Sequence, residues 1–166
     1  MCFLNINNMQ LRHSSWKNEY CDDVTRFVKA HENMYDTALS EILNGRKRSH
    51  WIWYIFPQIR GLGHTYNSNY YGISNVEEAK LYLDNELLNY HMNTLLNILL
   101  DSKECDAAVI FGDLDAVKLR SSMTLFDVVR PNGIFNKVLD KFFECKRDER
   151  TLELLQSQIR TEKTFD

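Results

Sequence analysis

The chain has 166 residues, 44% of them hydrophobic, with a net charge of -3 and a pI near 6.0. Length and apolar content fit one globular domain with its own core, and the charge excludes a global basic field that would draw the chain onto nucleic acid. No apolar run approaches the ~18 residues of a membrane span, and the opening Met1-Cys2-Phe3-Leu4-Asn5 lacks a signal-peptide pattern, so a cytoplasmic protein is expected.

Cys2, Cys21, Cys105 and Cys145 form no CxxC pair and have no histidine at zinc-finger spacing. They read as reduced thiols, and neither a metal nor another cofactor is expected. Only two prolines and six glycines interrupt the chain, which favours helices.

Residues 1–21 lack sustained periodicity and read as a tail or appended segment. A single helical domain is expected over residues 22–160, with a frayed terminus over 161–166. Asp22 and Asp23 can cap a helix carrying Val24, Phe27 and Val28 on one face. A second helix carries Met34, Tyr35, Ala38, Leu39, Ile42 and Leu43, and Asn44-Gly45 terminates it.

The next stretch, Arg46 to Gln58, places three cations and Ser49-His50 before a dense aromatic run. Trp51 and Trp53 alternate with Ile52 and Tyr54, which fits a strand and fits a short buried helical turn before Pro57 equally well. Gly61-Leu62-Gly63 gives a flexible turn, followed by a polar loop that Tyr70 and Tyr71 close. Ser74 and Glu77 have capping-box spacing for the next helix. A longer helix from about Glu86 carries Leu87, Leu88, Met92, Leu95, Leu96, Leu99 and Leu100 on a broad apolar face.

Residues 107–111 are an apolar run ended by Gly112, again strand or helix by pattern alone. Asp113 and Asp115 can cap a helix through Leu119, Met123 and Phe126. Pro131-Asn132-Gly133 is a turn, Ile134 to Phe143 an amphipathic helix, and Asp148 can cap the last one. The sum is a mainly α, compact, bundle-like fold with at most one or two short strands.

Two segments carry the candidate chemistry. In the first, Lys47 can meet a phosphate, and His50 beside three cations favours the neutral imidazole. Ser49 and Gln58 add polar groups there, and Tyr71 follows on the adjacent loop. Trp51 and Trp53 serve either as core or as a stacking platform. In the second segment Asp115 supplies an acid beside Lys118, Arg120, Ser121, Ser122 and Thr124. On one continuous helix Lys118, Ser121 and Ser122 share a face, while Arg120 and Thr124 point away. A helix broken near Arg120 would instead turn Ser121 or Ser122 into an N-cap and create an anion site.

Gly45 to Gln58 with Gly61-Leu62-Gly63, and Ile110 to Phe126, closely resemble the family known as domain of unknown function 1810. The resemblance spans about Asp22 to Ile159. It implies a compact, mostly helical single domain and carries no established activity. Against its pattern, His31 stands where glutamine is usual, Thr65 where serine is, Asn85-Glu86 where a His-Pro pair is, and His91 where arginine is.

The residues together suggest a small hydrolase for a nucleotide-type substrate, with removal of an ADP-ribosyl group as the leading expectation. His50 and Asp115 would act chemically. Lys47, Ser49, Trp51, Trp53, Gln58, Tyr71, Lys118, Arg120, Ser121, Ser122 and Thr124 would bind. A non-catalytic module for a phosphate-bearing ligand or an acidic peptide is the alternative. The partner is then a phosphate-bearing small molecule or an ADP-ribosylated protein, with neither nucleic acid nor membrane involved.

Overall fold

A computed structural model describes residues 24–162, in which nine helices follow one another. They are α1 Thr25–Leu43, α2 Ile52–Ile55, α3 Tyr66–Tyr70, α4 Val76–Asp84, α5 Glu86–Asp101, α6 Ala107–Phe111, α7 Asp113–Val129, α8 Ile134–Phe143 and α9 Glu149–Glu162. The fold is mainly α, as expected. The proposed tail, with its Asp22 and Asp23 caps, lies outside the described residues. The last helix reaches Glu162, two residues past the expected domain end at 160.

The two helices expected before Gly45 are one. No breaker occurs in Lys29 to Asn33; Glu32 and Asn33 face solvent while His31 turns inward, so the amphipathic face runs on without interruption. Gly45 ends the helix at φ 68°, with Gly45 N–H donating to Ile42 O at 2.9 Å and Arg46 N–H to Glu41 O at 3.0 Å. That pair of bonds is the left-handed terminator the sequence predicts.

Both ambiguous apolar runs are helical. Residues 52–55 make a single buried turn that stops at Phe56 (φ -124°, ψ 71°), where Pro57 excludes α geometry. Residues 107–111 make α6, which Gly112 ends at φ 75°. The extended pairing lies elsewhere: a parallel bridge joins Ile59 to Ile73, with Arg60 N–H on Ile73 O at 2.8 Å and Ile73 N–H on Gln58 O at 2.9 Å. This bridge holds together the two ends of the loop that carries α3.

Two capping expectations shift and a third holds. The N-cap of α4 is Asn75, not Ser74; its side chain accepts from Glu78 N–H, and the Glu78 carboxylate reaches back to Ser74 N–H. Asp113 and Asp115 form no cap on α7, whose N-cap is Gly112 with no side-chain hydrogen bond. Asp148 does cap α9, accepting from Thr151 N–H at 2.9 Å and Thr151 Oγ1–H at 2.6 Å.

Helix α7 is the spine, packed against α2, α4, α6, α8 and α9. Every residue from Ser121 to Asp127 on it is buried. Trp51, Phe27, Tyr82, Phe56 and Phe126 are the bulkiest core side chains around it.

Candidate functional site

The basic loop after α1 is held by a carboxylate. Glu41 accepts from Arg48 N–H (2.8 Å), Ser49 N–H (3.0 Å), Ser49 Oγ–H (2.6 Å) and the Trp51 indole N–H (2.7 Å). Partial burial pushes its carboxyl up, but these donors outweigh it and hold the group down at about 2. Ser49 and Trp51, expected at the ligand, are therefore committed to this anchor, and Trp51 is fully buried.

The two sequence segments meet through one carboxylate. Asp115 takes Lys47 Nζ on one oxygen at 2.5 Å and Lys118 Nζ on the other at 2.8 Å. Burial raises its carboxyl, yet hydrogen bonds from Lys118 and then Lys47 bring it below the usual range. Lys47 also donates to Ser49 O and sits 4.9 Å from the Trp51 ring centroid. Asp115 is thus a fixed anion between two lysines.

A cleft of about 430 Å³ opens beside this bridge. Of the residues expected to bind, Trp53, Gln58, Tyr71, Lys118 and Ser121 line it. The Lys118 ammonium lies 4.5 Å from the Trp53 ring centroid, within cation–π range. Gln58 donates to Phe56 O at 2.5 Å, which leaves its amide oxygen as the acceptor to offer. Burial, with Tyr70 and Tyr66 adding to it, raises the Tyr71 phenol, which remains a hydrogen-bond donor at neutral pH.

The cleft's floor is a close approach of backbone. A Cβ on Gly72 would stand 2.6 Å from Ser68 O and 3.0 Å from the Arg60 Cα, so only glycine fits. Behind it Arg26 donates to Tyr70 O at 2.8 Å and pairs with the buried Glu78 at 2.5 Å. An ion pair this enclosed fixes the loop, since removing either partner leaves a charge stranded in the core.

Other expected site residues stand apart. His50 is exposed and is not among the groups lining the cleft. Asp115 does not line it either. Ser122 is fully buried with an unpartnered hydroxyl. Thr124 donates to Arg120 O and accepts from Asp148 N–H at 2.9 Å, tying α9 to α7. The broken-helix geometry near Arg120 does not occur, because α7 is continuous and no new N-terminus forms at Ser121 or Ser122. Two charged lining residues escaped the sequence reading as ligand groups: Asp148, legible as a cap, and Arg150 beside it. Glu41 was hidden among the polar positions of α1.

His31 and His91, two of the positions read as departing from the family pattern, touch each other. His31 Nδ1 lies 3.1 Å from His91 Nδ1, and His31 Nε2 donates to Tyr54 O at 2.8 Å. That bond makes Nδ1 of a neutral His31 the acceptor, so His91 Nδ1–H is the donor. Burial depresses the His31 imidazole to about 4, more than Tyr54 raises it, and His91 lowers it further. Neither histidine lines the cleft.

A family model described as "Protein of unknown function (DUF1810)" matches residues 21–155. A solved structure, the conserved hypothetical protein Rv1873 from Mycobacterium tuberculosis, is 39% identical and superposes with a TM-score of 0.78, over 81% of this chain and 96% of that one. No curated protein matches the chain. Among the described residues no helix is long and apolar enough to cross a membrane.

Proposed function

The chain belongs to the family of proteins of unknown function numbered 1810, which hands down no reaction, and we propose from its cleft that it binds a nucleotide-type, phosphate-bearing ligand, an ADP-ribosyl group being the leading candidate. The observation that carries this is the Lys118 ammonium held 4.5 Å from the Trp53 ring inside a cleft that both sequence segments line. Indole surface suits a base, where stacking contributes about 1–3 kcal/mol. An ammonium beside it suits the phosphate. Gln58 and Tyr71 add one acceptor and one donor for base or ribose edges.

Hydrolysis of the glycosidic bond is the reaction proposed for this site. Water adds to the anomeric carbon as the bond from that carbon to the leaving group breaks, and a carboxylate in the cleft accepts the proton from water and passes it to the leaving group. Asp115 is poorly placed for that step, because both its oxygens are on lysines. Asp148 lines the cleft, with one oxygen engaged by Thr151 and the other 3.9 Å from Arg120. The rival is a binding module without chemistry. It is favoured by the position of His50 and Asp115 outside the cleft lining.

Calorimetry with AMP, ADP-ribose and NAD, followed by product analysis on an ADP-ribosylated peptide, tests both. Asp148→Asn keeps a good N-cap, since asparagine caps as well as aspartate. Turnover lost with binding retained supports the hydrolase. Binding without product from the wild type leaves the module. No binding of any nucleotide removes the proposal.

A further inference from the structure

A second pocket, of about 520 Å³, adjoins the cleft, and Asp148 and Arg150 line both. Its remaining walls include Arg120, Lys146, Arg147 and Glu149. Four cations therefore face two carboxylates. One of these, Asp148, is buried and spends an oxygen on the α9 cap.

The cations are not used up by their neighbours. Lys146 pairs with Glu144 at 2.7 Å through one of its three N–H donors, Arg147 with the buried Asp127 through Nε and Nη2, and Arg150 with Glu153 through Nη1 at 2.9 Å. A guanidinium has five N–H donors, so each retains some for a ligand. Arg120 approaches Asp148 only to 3.9 Å, and its Nε is buried with no hydrogen-bond partner. A buried donor of that kind costs stability unless something accepts from it. Helix α9 also begins here, its first residues Glu149 and Arg150 lining the pocket.

Aromatic surface with one cation on one side of a shared wall, and a cluster of cations on the other, match a ligand with two unlike ends. We propose that the cleft and the cationic pocket form one extended site for a nucleotide carrying a diphosphate or longer phosphate chain. The base lies against Trp53, the first phosphate meets Lys118, and the next crosses Arg150 to reach Arg120 and Arg147. The chain thereby discriminates by phosphate count. This rests on the nucleotide reading of the cleft.

The test is calorimetry of AMP, ADP and inorganic pyrophosphate against the wild type and a Lys146→Gln/Arg150→Gln variant. Both side chains are exposed, at 70% and 64%, so the variant's melting temperature should match the wild type. The wild type is expected to bind ADP about tenfold or more tightly than AMP, because added charge-assisted hydrogen bonds are of that size. In the variant the ratio should fall to within about threefold, and pyrophosphate binding should weaken in parallel. Equal wild-type affinity for AMP and ADP, or a ratio the variant does not alter, overturns this inference while leaving the nucleotide reading intact. Failure of both nucleotides to bind overturns the two together.

Discussion

Trp53 and His31 show how one residue's surroundings decide its work. Trp53 keeps part of its ring at the cleft, whereas Trp51, two positions earlier, is sealed in the core with its N–H on Glu41. Trp53→Ala should therefore cost about 1–3 kcal/mol of nucleotide affinity, read by calorimetry, with little loss of fold. Glu41→Ala should do the reverse. It strands the Trp51 and Ser49 donors and should lower stability by about 1.5–3 kcal/mol in urea melts, the size of hydrogen bonds to a charged group. His31 predicts a pH effect. Its folded-state pKa, about 4, lies below the ordinary 6.5, so the unfolded chain binds the proton more readily. Stability should be full above pH 6.5 and fall as pH drops from 6.5 through 4. His31→Gln keeps a donor for Tyr54 O and should flatten that slope. An unchanged slope would place the titration elsewhere, with the stacked His91, whose imidazole pKa burial also lowers, as the neighbour to examine.

Element by element, periodicity read well where a segment was long. The faces of α5 and α8 follow the sequence closely, as does the glycine terminator of α1. Short runs gave no such discrimination. Four or five apolar residues satisfy a period of two and a period of 3.6 alike, and tertiary burial made both helical at 52–55 and 107–111. The polar loop before Tyr70 hid α3, which Thr65 caps by accepting from Ser68 N–H. On α7 the expected common face of Lys118, Ser121 and Ser122 divides. Lys118 and Ser121 reach the cleft, while Ser122 does not, because the helix is surrounded by the core from Ser121 to Asp127 and Ser122 lies fully inside it. The loop floor yields its own prediction. Gly72→Ala forces a methyl onto Ser68 O and the Arg60 backbone, and should cost about 1–3 kcal/mol of stability and distort the cleft. A thermal melt and a nucleotide titration on the same variant check both effects.

For the whole molecule, the fold brings together what the chain separates by some sixty positions, and does so through Lys47, Asp115 and Lys118 rather than through His50. Half of the site was legible because it consists of aromatic and cationic side chains clustered in sequence. The other half, Asp148 and Arg150, comes from the start of α9, whose place against α7 depends on the Thr124–Asp148 hydrogen bond across 24 positions. No local pattern announces such a bond. His31 and His91 carry the same lesson, since only the fold shows that the two touch each other. The most direct test of the central claim is a titration of ADP-ribose into the wild type, Trp53→Ala and Lys118→Met. Saturable binding by the wild type, weakened at least about fivefold in each variant, is the predicted result. Absence of wild-type binding, or equal affinity in all three proteins, would contradict it.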